Sequence, residues 1–104
     1  MSTEKEVNQD PQHAALIAVR QAYKEADTVL QSTSDLEQAY QLATQLAECL
    51  RELADEAALA RAKSAAQISK AEELSLAGLA TKIGVSKARA TQLMQAATRE
   101  QKGK

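Results

Sequence analysis

The segment that opens at Ser86 carries Lys87, Arg89 and Arg99 interleaved with Ala88, Thr91, Gln92 and Gln95. On a helix, spacings of three and four place Ala88, Thr91, Gln92, Gln95 and Arg99 on one face, with Lys87 and Arg89 at its edges. A carboxamide donates and accepts at once, so Gln92 can pair with two edge groups of an adenine, and the Ala88 methyl can meet a thymine methyl. Lys87, Arg89 and Arg99 suit phosphate oxygens, and Lys82, Lys70, Lys63 and Lys102 extend the same basic surface. Together Ser86, Lys87, Ala88, Arg89, Thr91, Gln92, Gln95, Arg99 and Lys82 form a candidate surface for double-stranded DNA.

Such a surface needs a helix held outward by a second helix, and Leu76 to Leu93, reading LAGLATKIGVSKARATQL, has the residues for that arrangement. Two helices crossing steeply through a short turn need a small residue where their backbones approach, and Ala80 is placed there. Gly84 follows Ile83 as a residue that accepts a left-handed backbone at a helix C-terminus. Val85 plugs the turn. Ser86 caps the next helix, which is expected to begin at Lys87. Leu76, Leu79 and Ile83 share one face of the first helix, and Ala90, Leu93, Met94 and Ala97 share one face of the second.

This pattern resembles the helix-turn-helix family of bacterial and phage repressors and the fourth region of sigma factors, whose members often read LA…lGVS…RvsQL. Leu79, Ala80, Ile83, Gly84, Val85, Ser86, Ala90, Gln92 and Leu93 carry the match. The resemblance implies a DNA-binding helix-turn-helix. Two departures are Gly78, inside the first helix, and Ala90, smaller than the usual Val or Ile. A glycine there costs roughly 1 kcal/mol against alanine.

Charge is distributed to match. Residues 1–60 carry 4 Lys/Arg against 11 Asp/Glu, net −7, and residues 61–104 carry 9 against 3, net +6, which recovers the overall −1. The basic half holds the motif, and phosphate attraction is local, so the global charge does not oppose DNA. The acidic half is expected to repel DNA and keep a duplex at the basic end.

Upstream, Asp10 and Pro11 are a capping residue and a tolerated first helical residue. Leu16, Val19, Tyr23, Ala26 and Leu30 then form one apolar stripe through about Gln31. Ser34 and Glu37 have the spacing of a capping box that opens a second helix. Leu36, Ala39, Ala43, Leu46, Leu50, Leu53, Ala57 and Ala60 follow strict a and d heptad positions. With no Gly or Pro between Ser34 and Gly78, this helix is expected to run to about Ala71. Its last part supports the motif through Ile68 and Leu74.

The expected fold is therefore all-α: an N-terminal antiparallel helical hairpin whose long second helix runs into a C-terminal helix-turn-helix. The expected divisions are a disordered tail at 1–9, the hairpin at 10–61, the DNA-binding region at 62–98 and a basic tail at 99–104. The first helix is too short to cover the second, so a homodimer is expected through Leu36, Ala39, Ala43, Leu46, Leu50, Leu53 and Ala57, giving a four-helix bundle with two recognition helices.

With 22 Ala, two Tyr and no Phe or Trp, the chain offers little large apolar surface, so a monomer is marginal. One cysteine, Cys49, and one histidine, His13, exclude an internal disulfide and make no metal-ligand cluster. No catalytic constellation, no cofactor motif and no membrane span is present, and a cytoplasmic protein that is not an enzyme is expected. Two functional classes stay open: a small dimeric transcriptional regulator or phage or plasmid DNA-binding protein, and a helical adaptor, for instance to the transcription machinery, whose motif is only a scaffold.

Overall fold

The computed structural model describes residues 10–102, with side chains through Arg99. All regular structure among them is helical: α1 (Pro11–Gln31), α2 (Leu36–Glu72), α3 (Leu76–Ile83) and α4 (Lys87–Lys102). The tail expected at 1–9 lies outside the described residues. Helix α4 continues through 99–102, where a basic tail was expected. Two compact units divide between Cys49 and Leu50.

In the first unit the helix starts are set by aspartates. The Gln12 N–H donates to Asp10 Oδ1 at 3.0 Å, and Pro11 occupies the first turn. At the other end of α1 hydroxyls replace a glycine: Ser32 Oγ donates to the Thr28 and Val29 carbonyls, and Thr33 Oγ1 donates to Val29 O at 2.8 Å. Helix α2 starts one residue later than a Ser34–Glu37 box implies. Asp35 Oδ1 accepts from the N–H groups of both Glu37 (3.0 Å) and Gln38 (3.2 Å), so Asp35 is the cap. A carboxylate at this position satisfies two orphan donors and sits at the positive end of the helix dipole, an advantage the Ser34 hydroxyl lacks.

Half-burial in this unit is concentrated on Ala26 and Leu30 of α1 and on Ala39, Leu42, Ala43 and Leu46 of α2. Leu16, Ile17, Val19 and Tyr23 of α1 are exposed, and so are Val29 and Leu36 close to the turn. Among the described residues of this unit none is fully buried.

The second unit has the core. Ala62 and Ala65 of α2, Leu79 and Ala80 of α3, and Ala90, Leu93 and Ala97 of α4 are buried together, with Ile68, Leu74, Ile83, Val85 and Met94 packed around them. Ile68 of α2 and Leu74 just beyond it lie against this cluster. The buried stripe does not continue the heptad, since Ala57 and Ala60 are exposed while Ala58 and Leu59 are half-buried and Ala62 and Ala65 buried.

Two turns of the same build join the three helices of this core. After α2, Glu73 takes a left-handed backbone (φ 54°), Leu74 N–H donates to Ser69 O at 2.9 Å, and Ser75 Oγ accepts from Gly78 N–H at 3.0 Å. After α3, Gly84 is left-handed (φ 76°), Val85 N–H donates to Ala80 O at 2.9 Å, and Ser86 Oγ accepts from Arg89 N–H at 3.0 Å. Each turn is a Schellman ending followed directly by a serine cap. In each, the apolar residue before the serine, Leu74 or Val85, joins a core residue five places on, Leu79 or Ala90, as a hydrophobic staple.

Candidate nucleic-acid interface

Helix α4 has two faces because its small and apolar residues recur at helical spacing. Ala90, Leu93 and Ala97 are buried at 0%, 5% and 4% exposure. Half a turn away Ala88, Gln92, Gln95 and Arg99 are exposed, and Lys87 is exposed at the helix start. The left-handed Gly84 and the cap at Ser86 fix the direction in which this helix leaves the turn. Arg89 and Thr91 are half-buried on opposite shoulders of the exposed face.

The polar groups are engaged to different degrees. Thr91 Oγ1 donates to the Lys87 carbonyl at 3.0 Å, so its hydroxyl proton is already used by the backbone. Arg89 Nη1 donates to Gln92 Oε1 at 3.4 Å. That contact is long and exposed, so the Gln92 oxygen is released at small cost because water or a base can replace the guanidinium. Lys82 Nζ lies 3.2 Å from Glu72 Oε1, an exposed pair bridging the end of α2 to the last turn of α3. Lys82 is therefore partly neutralised, unlike Lys87. Ser86 is first a capping residue. Lys70 is exposed in the last turn of α2, and Lys102 lies beyond the described side chains.

One feature was not legible from the motif. A groove of about 410 Å³ runs along α2 and α4, floored by Leu59, Leu93 and Ala96 and walled by Asp55 and Arg61 on one side and by Arg89, Gln92 and Arg99 on the other. Arg61 lies outside the motif, at the first position of the basic half, and nothing in the local sequence pairs it with Arg89. The expected dimer residues are open to a partner in varying degree: Leu36, Leu50 and Leu53 are exposed at 83%, 38% and 52%, and Ala39, Ala43 and Leu46 are half-buried.

No helix among the described residues is long and apolar enough to cross a membrane. No protein-family model matches the chain, and comparison with curated proteins and with solved structures gives no match.

Proposed function

We propose that the chain binds double-stranded DNA with sequence preference, as a small homodimeric transcriptional regulator or a phage or plasmid DNA-binding protein of the cytoplasm. The observation that carries this reading is the two-faced α4. A stripe of buried Ala90, Leu93 and Ala97 anchors the helix, and the opposite face offers Ala88, Gln92, Gln95 and Arg99 beside Lys87 and Arg89. A helix of this kind fits the major groove of B-DNA, which is about 12 Å wide. Gln92 is the base reader and Ala88 the methyl contact, while Lys87, Arg89 and Arg99 take phosphates. Dimerisation through the heptad residues of α2 doubles the contacts, since one small motif seldom secures enough surface for specific binding.

The test is a mobility-shift assay on random duplexes across a salt series. If about six phosphates are neutralised per dimer, log K falls against log salt with a slope near −5, from the rule of about 0.9 per phosphate. Absence of any shift at low salt would refute the reading and leave the adaptor class.

A further inference from the structure

The groove along α2 and α4 is lined by three arginines. Arg89 and Arg99 come from the recognition helix, and Arg61 comes from the opposite wall, outside the helix-turn-helix motif. Among the described residues neither Arg61 nor Arg99 makes an ion pair or a side-chain hydrogen bond, and Arg89 makes only the 3.4 Å contact to Gln92. The one carboxylate on the walls, Asp55, balances one of the three charges at most. Three forked cations around an apolar floor suit an anion with several acceptor oxygens, which is the geometry of a phosphodiester.

The position of the groove says which phosphate. A recognition helix in the major groove points its outward face, here Ala88, Gln92 and Gln95, at the base edges, and each of its shoulders then borders one sugar–phosphate strand. The shoulder next to α2 carries Arg89. A strand passing that shoulder overlies the groove and comes within reach of Arg61.

We propose that the α2–α4 groove is a backbone clamp that holds a phosphodiester of the bound duplex between Arg61 and Arg89, with Asp55 marking its acidic limit. The proposal rests on the DNA-binding reading of α4. It adds to that reading a contact from α2, and it assigns opposite effects to two residues six positions apart on one helix.

The experiment is fluorescence anisotropy of the full chain on a labelled duplex across a salt series, comparing wild type with Arg61→Gln, Arg61→Lys, Asp55→Asn and Arg51→Gln. Arg51 is exposed on α2 and does not line the groove, so it reports the same loss of charge in the general field. Arg61→Gln is expected to weaken binding roughly tenfold and to lower the salt slope by about 0.9 for each clamp occupied. Arg61→Lys falls between the two because it keeps the charge and loses the fork. Asp55→Asn tightens binding, and Arg51→Gln stays within about twofold of wild type, as a distant screened charge does. Thermal melts of the exposed-site variants that match wild type exclude misfolding. Wild type that binds DNA, with Arg61→Gln no weaker than Arg51→Gln or with Asp55→Asn no tighter than wild type, overturns the clamp alone. Wild type that binds no duplex overturns the DNA reading and the clamp with it.

Discussion

Substitution of Gly84 isolates a single physical term, because a Cβ built on this residue meets nothing within 4 Å. For alanine, sterics with neighbours therefore contribute no cost, and what remains is the backbone at φ 76°, ψ 36°. An L-residue in this region costs about 1–2 kcal/mol. Alanine recovers about 0.4–1 kcal/mol by restricting the unfolded chain, which leaves a net loss of about 1 kcal/mol. Asparagine, whose side chain bonds locally in the left-handed region, loses less, and valine, β-branched, loses more. In a domain of this size 1 kcal/mol moves the melting temperature by roughly 4–8 °C. Thermal unfolding followed by circular dichroism should rank the series Gly, Asn, Ala, Val from most to least stable, with DNA affinity at a fixed temperature well below the melts changing less than stability. Alanine equal to or more stable than glycine would show that the turn does not hold this backbone and would refute the account of how α4 is aimed.

The companion turn gives the converse test: Glu73 is left-handed without being glycine, so Glu73→Gly should raise stability by up to about 1 kcal/mol, measured in the same melts. Gln92→Ala should relax preference at one base position of each half-site at a cost of about 1–3 kcal/mol, whereas Lys87→Ala should weaken all duplexes evenly; selection from a random duplex pool separates the two patterns. Replacing Leu46 and Leu50 together by Asp should dissociate the proposed dimer, because charge buried without a partner is not tolerated in a helical bundle. Analytical ultracentrifugation checks this, and a wild-type mass of one chain at micromolar concentration with specific DNA binding intact would defeat the dimer.

What the sequence discloses and what it hides follow from how each feature is encoded. Both ends of α1 and the far end of α2 were legible within a residue or so, because Asp10–Pro11 and the apolar spacings are local signals. The turn at Gly84, Val85 and Ser86 was equally plain, since glycine and serine mark its two special backbone positions. Its twin at Glu73, Leu74 and Ser75 was not, because a glutamate at positive φ leaves no trace in composition and is held there by the Schellman bonds around it. The phase of α2 was lost for a different reason. Residues 57, 58, 60 and 62 are all alanine, so the heptad seam and the core stripe read alike until burial separates Ala62 from Ala57 and Ala60. Arg61 escaped the motif because its meaning comes from Arg89 across the groove, a juxtaposition that no local pattern contains.

The alanine content also explains why two turns of one build recur. Among the described residues of the second unit five of the seven buried ones are alanines, leaving Leu79 and Leu93 as the large apolar contributors. A core of methyl groups lets helices approach closely but removes little surface from water, at about 25 cal/mol for each Å². Ala90, entirely buried where the resembling motifs carry Val or Ile, fits this close approach: a branched residue would have to displace the helices that share its core. With so little burial, local terms weigh more, because each serine cap is worth about 1 kcal/mol whether the core is large or small. Ser75 with its staple Leu74–Leu79, and Ser86 with Val85–Ala90, therefore fix the entry of α3 and α4 by backbone chemistry where packing alone would leave them loosely directed. For a helix whose proposed task is to present Gln92 to a base edge, direction matters more than total stability, since a displacement of about 1 Å exceeds the tolerance of a bidentate hydrogen bond.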